Sequence, residues 1–470
     1  MSSYRPTIIN DDFVSISDLS FFNSGTRLAL ASLFFEEKMK DDIATFDLFV
    51  RDLPLCRNYF MLSGLNKFIE FILNFRFNQK QIAWIKKHFN LSPELIKYFK
   101  NFKFTGDIWA MPEGTLFFPN EPIIRITAPI IEAQIVETYL INCVYLETIL
   151  ASKISRFINA ANGTSCVMGI NRTYGLETAM KADRIKDIFG VSANSLLFNY
   201  KSDTTPWFHG TFHYLIMMFN NELDAFIKYL KHTGGKGYVL VDTYDCEKGI
   251  KNFITAAREL EKFGAKAVGI QLDSGDLLEL SRTARKMFDE AGLDYLKIFA
   301  MSNLDEKKVA ELVRCKAPID VFAGTTEILT PTDYPILELV YKLSEVRKNG
   351  KIIHKMKTAT NKISLPGRKQ VFRVMKNGKH THDVIGLENE KVSSGKKLLQ
   401  PIFRNGELIS KVANNKEIRK HYFKQKSRFN PKLFSVDQKF NYPVKVSQKL
   451  KILASKTRKE IVKSYLDQNL

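Results

Sequence analysis

Tyr238-Val239-Leu240-Val241, an apolar and largely β-branched run that ends at Asp242-Thr243, opens the stretch that decides the fold. Ala267-Val268-Gly269-Ile270-Gln271-Leu272 repeats the pattern and ends at Asp273-Ser274-Gly275-Asp276. Residues 296–300 then lead to Ser302-Asn303, and residues 319–322 lead to Gly324-Thr325-Thr326. Helical periodicity fills the intervals at 248–263, 278–291 and 305–313; in the first, Ile250, Phe253, Ala256 and Leu260 share a face. The strand starts at 238, 267, 296 and 319 are 29, 29 and 23 residues apart, a βα rhythm that implies parallel strands. In parallel α/β folds, polar residues just past the strand C-termini line the ligand-binding face. All four strands end in such residues, which predicts an enzyme that holds a polar ligand at one rim of a barrel.

The rim residues suit several chemistries. Asp273-Ser274-Gly275-Asp276 sets two carboxylates around a small turn that a ligand can approach closely. Carboxylates there can hold Mg2+ through water, accept hydrogen bonds from ribose hydroxyls, or stabilise a developing cation. The plainer reading is a helix N-cap by Ser274 or Asp276, and Asp242 on the preceding strand makes the set more specific. Ala323-Gly324-Thr325-Thr326 offers backbone N–H groups and two hydroxyls suited to phosphate, or an ordinary βα turn. His213 sits among aromatics in Trp207-Phe208-His209-Gly210-Thr211-Phe212-His213-Tyr214, where a packed core histidine is the commoner outcome. A His209/His213 metal pair is disfavoured by Pro206 and Gly210 and has no evident third ligand.

Outward from this centre the chain is less rhythmic. Residues 69–77 and 81–89 read as helices, 103–110 and 121–126 as strands, and 131–153 as a buried helix pair or one long helix. Beyond about Tyr341, Asn377-Gly378 and Asn405-Gly406 are hairpin signals, followed by basic amphipathic helices. The 470 residues are 45% hydrophobic and 26% charged, which excludes a mainly disordered or collagen-like chain. No apolar run reaches the roughly 18 residues of a membrane span. Residues 1–13 are polar, with two Asp, unlike a signal peptide. Cys56, Cys143, Cys166, Cys246 and Cys315 are scattered and odd in number, so free thiols in a reducing compartment are expected, with neither a disulfide frame nor a zinc site. The net charge is +20, and residues 411–470 hold 16 Lys/Arg against 4 Asp/Glu. Those basic residues alternate with apolar ones, as in 445–453, which fits solvated helix faces better than a nucleic-acid arm. A basic surface also attracts polyphosphate substrates. No membrane partner is expected.

Taken together the sequence resembles the nicotinate phosphoribosyltransferases. The resemblance runs through Phe46-Asp47-Leu48-Phe49-Val50-Arg51, Gly210-Thr211-Phe212-His213, Glu222-Leu223-Asp224-Ala225-Phe226, Val241-Asp242-Thr243-Tyr244-Asp245 and Leu272-Asp273-Ser274-Gly275-Asp276. It continues in Ser302-Asn303-Leu304-Asp305-Glu306, Val340-Tyr341-Lys342-Leu343, Leu365-Pro366-Gly367-Arg368-Lys369-Gln370-Val371 and Asn441-Tyr442-Pro443-Val444. Each segment is weak; their order and spacing are specific. The resemblance implies an irregular parallel (β/α) barrel of the type II phosphoribosyltransferase kind at 138–343. An α+β N-terminal domain at 1–137 precedes it, and C-terminal additions, hairpins and basic helices, follow at 344–470. It implies ATP-coupled formation of nicotinate mononucleotide and pyrophosphate from nicotinate and phosphoribosyl pyrophosphate, in NAD biosynthesis, by a cytoplasmic homodimer with Mg2+ as cofactor. It assigns transient phosphorylation to His213, catalytic roles to Asp242 and Asp273, and an anion contact to Arg172. Substrate contacts fall to Asn194, Ser274, Gly275, Asp276, Ser302, Asn303, Gly324, Thr325 and Thr326, with no resident metal ligand set.

The sequence departs from the family pattern at several positions, among them His209 and Gly210 where the family has Gly-Thr, and Asp18-Leu19, displaced in register from the family's Asp-Leu-Tyr. Asn171 and Tyr174 replace an arginine and a histidine, Gln271 replaces an arginine, Ala323 alters the phosphate loop, and Thr26 stands where an aromatic faces the nicotinate ring. Arg27, Lys181 and Lys201 are alternative sources of positive charge. These changes keep open a homologue with another substrate, or a scaffold that retains only the fold.

Overall fold

The computed structural model describes residues 16–205, 210–359 and 362–467. The polar stretch 1–13, Pro206 and His209 lie outside the described residues.

The four predicted strands form Tyr238–Leu240, Gly269–Leu272, Lys297–Ala300 and Val321–Gly324, separated by the helices Cys246–Glu261, Leu277–Glu290 and Glu306–Arg314. A fifth strand, Ser165–Met168, pairs in parallel with Val321–Gly324. The last strand in sequence therefore closes on the first, as in a barrel, and the order runs from Ser165–Met168 round to Tyr238–Leu240. An isolated parallel bridge joins Gly210 to Tyr238 and adds one more station. No ladder is found among the described residues between that station and Ser165–Met168, so the ring is irregular and has a seam. Close packing dictates composition here. A Cβ on Gly249 would lie 1.9 Å from Val241 O, so only glycine lets the helix Cys246–Glu261 lie this near the strand end.

A second body is a seven-stranded sheet with the antiparallel core Leu339–Lys348, Ile43–Val50, Ile124–Pro129, Asp107–Ala110 and Gln400–Arg404. It draws strands from both ends of the chain. The junction expected at 137/138 falls at the start of the helix Glu137–Ala160, and that expected at 343/344 falls inside Leu339–Lys348. The expected helix pair is present as Ile130–Ile135 and Glu137–Ala160. By length and composition the stretch Ile130–Ala160 is apolar enough to cross a membrane. Its burial gives a different account: Leu140 and Val144 belong to the core of the N-terminal sheet, and Leu150, Ile154 and Phe157 to the core of the barrel.

The Asn-Gly signals mark real hairpins. Asn377 and Gly378 have φ of 50° and 74°, Asn405 and Gly406 50° and 78°, the double left-handed geometry such turns need. One expectation fails locally. Lys445 and Val446, read as part of a helical face, lie in the strand Val444–Val446, which pairs in parallel with Asp383, Val384 and Ile385, and the basic helix begins only at Gln448. An open ladder edge outweighed the helical spacing of the lysines.

Candidate active site at the rim of the parallel strands

Asp242 lies just past Leu240, and Asp273 just past Leu272 on the neighbouring strand. The Asp242 Oδ2 atom accepts from the Asp273 backbone N–H at 2.9 Å and from the Ser274 hydroxyl at 2.6 Å. The two acids thus lie side by side at the strand ends, and Asp242 pins the turn that carries Asp273. The other Asp242 oxygen, Oδ1, is buried with no hydrogen-bond partner. Burial pushes the Asp273 carboxyl above its ordinary range, the Asp242 carboxylate adds to this, and His213 and Arg172 oppose it.

His213 is not a core residue. It opens the short helix His213–Met217 and remains part-exposed. Its placement follows from Thr211, whose N–H donates to Tyr238 O at 3.0 Å and whose hydroxyl accepts from Leu240 N–H at 2.9 Å. These bonds lay the preceding segment along the strand. His213 Nε2 then stands 3.6 Å from Asp273 Oδ2, and Nδ1 stands 3.2 Å from Thr243 Oγ1. Thr243 and Thr211 are contributors whose roles the sequence reading did not assign; a hydroxyl's partner across a strand pair has no local signature.

The remaining rim residues are held in different ways. Gly275 has φ of 75°, which a turn this tight requires. Asp276 caps its helix, with Oδ1 accepting from Leu278 and Glu279 N–H groups, while Ser274 is tied to Asp242 instead. Ser302 and Asn303 have φ of 102° and 47°, left-handed conformations that cost non-glycine residues energy and concentrate at functional turns. Arg172 reaches Thr326 Oγ1 at 3.2 Å, bringing its guanidinium over the turn Gly324-Thr325-Thr326. Gly324 has no room for a side chain, since a Cβ would lie 2.6 Å from Ile328 Cγ1 and 3.1 Å from the Phe157 ring.

Asn194 belongs to a different network, beneath Ser165–Met168. It accepts from Lys186 Nζ at 2.8 Å, and the same ammonium donates to Met168 O at 2.7 Å. The substituted positions are also placed: Gln271 contacts the Met301 sulfur, Ala323 is buried, and Asn171, Tyr174 and Thr26 are exposed. Of the alternative cations, Arg27 is paired with Glu137 at 2.6 Å and Lys181 with Glu177 at 2.8 Å. Lys201 is exposed on the helix Leu196–Ser202. Among the described residues no group of three or more His, Cys, Asp or Glu side chains gathers at metal-ligand spacing. Cavities of about 380 and 430 Å3 in the N-terminal region contain no rim residue. The site is placed at the rim because acids, imidazole, guanidinium and hydroxyls converge there.

Comparison with known proteins agrees with this placement of the fold. The nicotinate phosphoribosyltransferase (NAPRTase) N-terminal domain model matches residues 26–145, and the C-terminal domain model matches residues 392–454. A nicotinate phosphoribosyltransferase of Mycobacterium tuberculosis is 37% identical over 356 residues, covering 75% of each chain. That of Bacillus subtilis is 36% identical over 364 residues, 76% of this chain and 73% of its own. The crystal structure of human nicotinic acid phosphoribosyltransferase superposes with a TM-score of 0.79 at 21% identity, over 92% of this chain and 99% of that one. At that identity the likeness speaks for the fold.

Proposed function

The chain belongs to the nicotinate phosphoribosyltransferase family, and from that premise we propose that it condenses nicotinate with phosphoribosyl pyrophosphate to nicotinate mononucleotide and pyrophosphate, coupled to ATP hydrolysis. The observation that carries this reading is the meeting of Asp242, Asp273 and His213 at one rim.

The reaction forms a bond between the pyridine nitrogen and ribose C1 while the C1–O bond to pyrophosphate breaks. C1 becomes cationic in the transition state. Asp242 and Asp273 set preorganised negative charge beside it, the arrangement that electrostatic catalysis requires. Arg172, with Thr325 and Thr326, suits a phosphate of the substrate, because a guanidinium pairs with it bidentately. Mg2+ fits the residues present: the unpaired Asp242 Oδ1 and the Asp273 carboxylate are hard oxygen donors that would hold it together with the substrate's diphosphate. When bound, it neutralises charge on the departing pyrophosphate.

His213 takes the phosphoryl group of ATP in this reading. In the tautomer whose Nδ1–H donates to Thr243 Oγ1, the lone pair sits on Nε2, the nitrogen that faces Asp273 Oδ2 at 3.6 Å and would attack the γ-phosphorus once it turns from that carboxyl. An N–P bond forms, the P–O bond to ADP breaks, and water later carries the phosphoryl group away as phosphate. We also assign a homodimer and the cytoplasm. Tyr174, Tyr200, Phe212, Tyr214 and Met218 are exposed along the chain between the strands Ser165–Met168 and Tyr238–Leu240, apolar side chains suited to contact with a second copy, and all five cysteines are free.

The test is pyrophosphate release by purified protein given nicotinate, phosphoribosyl pyrophosphate, Mg2+ and ATP. His213→Ala should lose ATP stimulation and the acid-labile phosphoprotein. Asp273→Ala should lose about 100-fold or more in kcat. Failure to release pyrophosphate with any pyridine substrate would overturn the reading.

A further inference from the structure

The motif Ser302-Asn303-Leu304-Asp305-Glu306 is only half accounted for by the rim. Ser302 and Asn303 form the strained turn; Leu304 is buried in the barrel core, Asp305 caps the helix Glu306–Arg314, and Glu306 points inward. Glu306 is 2% exposed and meets three cations. Lys153 Nζ lies 2.6 Å from its Oε2, Arg156 Nε donates to Oε1 at 3.0 Å, and Arg57 Nη1 lies 3.7 Å from Oε1.

The same cations hold a second loop. Arg57 makes a bidentate pair with Asp333, and Lys153 lies 3.0 Å from Asp333 Oδ1. Asp333 follows the turn Gly324-Thr325-Thr326 by seven residues and its helix Thr326–Leu329 by four. Lys153, Arg156 and Phe157 share one face of the helix Glu137–Ala160 at i, i+3 and i+4 spacing. Phe157 packs where a Gly324 side chain would stand. One helix face therefore touches the anchors of both turns. Five charges in such a cluster cost desolvation, and a well-packed apolar group is often as stable, so its presence calls for a role beyond stability.

We propose that Glu306 is a positioning residue: together with Lys153, Arg156, Arg57 and Asp333 it clamps the Ser302-Asn303 and Thr325–Thr326 turns to one helix, fixing the spacing between the phosphate-facing Thr325–Thr326 turn and its neighbour on the rim. This rests on the phosphoribosyltransferase reading for its kinetic arm and stands apart from it for its structural arm. Glu306 touches no substrate. The clamp holds the strained φ values of Ser302 and Asn303 against relaxation.

Glu306→Gln in the full-length protein tests it. The KM for phosphoribosyl pyrophosphate should rise more than tenfold with a smaller fall in kcat, about 100-fold in kcat/KM at most. Glu306→Asp should recover most of that loss. Hydrogen–deuterium exchange without substrate should speed up at 301–305 and 325–333 and stay unchanged in the strand Ile43–Val50. A folded Glu306→Gln protein with KM within twofold of the parent and unchanged exchange at both turns overturns the clamp. If Glu306→Gln does not fold, Asp333→Asn decides: faster exchange at 325–333 with a raised KM supports it, and no change in either overturns it. If the parent protein makes no pyrophosphate, the functional reading fails while the exchange comparison still decides the clamp.

Discussion

Asp273 serves two opposed demands. Catalysis needs it ionised beside a developing cation, yet burial and the neighbouring Asp242 carboxylate hold its carboxyl above the ordinary aspartate range. The folded protein therefore binds that proton more tightly than the unfolded chain does. On this account the folded state loses stability as pH rises from the unfolded value through the folded one. Asp273→Asn should accordingly raise the melting temperature at pH 7 while lowering kcat about 100-fold, a pairing that calorimetry and a turnover assay on one preparation can check. The acid limb of the parent's kcat/KM profile should lie above the ordinary aspartate value of about 3.9. A limb at or below that value would mean the ionisation of Asp273 does not govern turnover. Thr243 sets the companion property: Thr243→Val removes the hydroxyl beside His213 Nδ1 and should slow phosphorylation of His213 about tenfold, with pyrophosphate formation in the absence of ATP unchanged.

At the level of elements, the end of Val321–Gly324 is tightly packed beneath the rim. Gly324→Ala places a methyl 2.6 Å from Ile328 and 3.1 Å from Phe157, an overpacking that costs about 1–3 kcal/mol and shifts the Thr325-Thr326 turn. Denaturant titration should show the destabilisation, and the KM for phosphoribosyl pyrophosphate should rise about tenfold. Much of this level was legible in the chain. The β-branched runs, their 29-residue spacing and the polar residues at 242, 273, 302 and 325 predict the strands and the rim, because buried parallel strands leave a local apolar signature. The acid pair was legible for the same reason. What faces each acid was not: Ser274 bonds Asp242 rather than capping its helix, and Asn194 serves Lys186. Those outcomes depend on neighbours 32 and 8 residues away, and no periodicity encodes them. Lys445 and Val446 were misread because the three-residue strand that holds them is shorter than one turn of the pattern that follows it.

Over the whole molecule, the sheet that joins Ile43–Val50 to Leu339–Lys348 and Asp107–Ala110 to Gln400–Arg404 ties the ends of the chain together. Register between segments nearly 300 residues apart leaves no trace in either segment alone, so this closure was invisible in the sequence. A fragment of residues 1–137 lacks both outer partners and should fail to give the dispersed amide resonances that the full chain gives. The net charge of +20 acts at this scale too. Attraction of a polyphosphate substrate weakens as salt shortens the screening length from about 10 Å at 0.1 M. The KM for phosphoribosyl pyrophosphate should therefore rise with ionic strength more steeply than that for nicotinate.

The helix Glu137–Ala160 lends its first half to one core and its second half to the other. Rotation along it is fixed at about 100° per residue, so the angular phase between the N-terminal sheet and the barrel is counted out in amino acids. One residue inserted near Leu146 would swing Lys153 and Arg156 a quarter turn away from their carboxylates while leaving every side chain chemically intact. The chain thus stores a long-range alignment as an integer, and lengthening this shaft by a single step would disengage two halves whose individual contacts are unaltered.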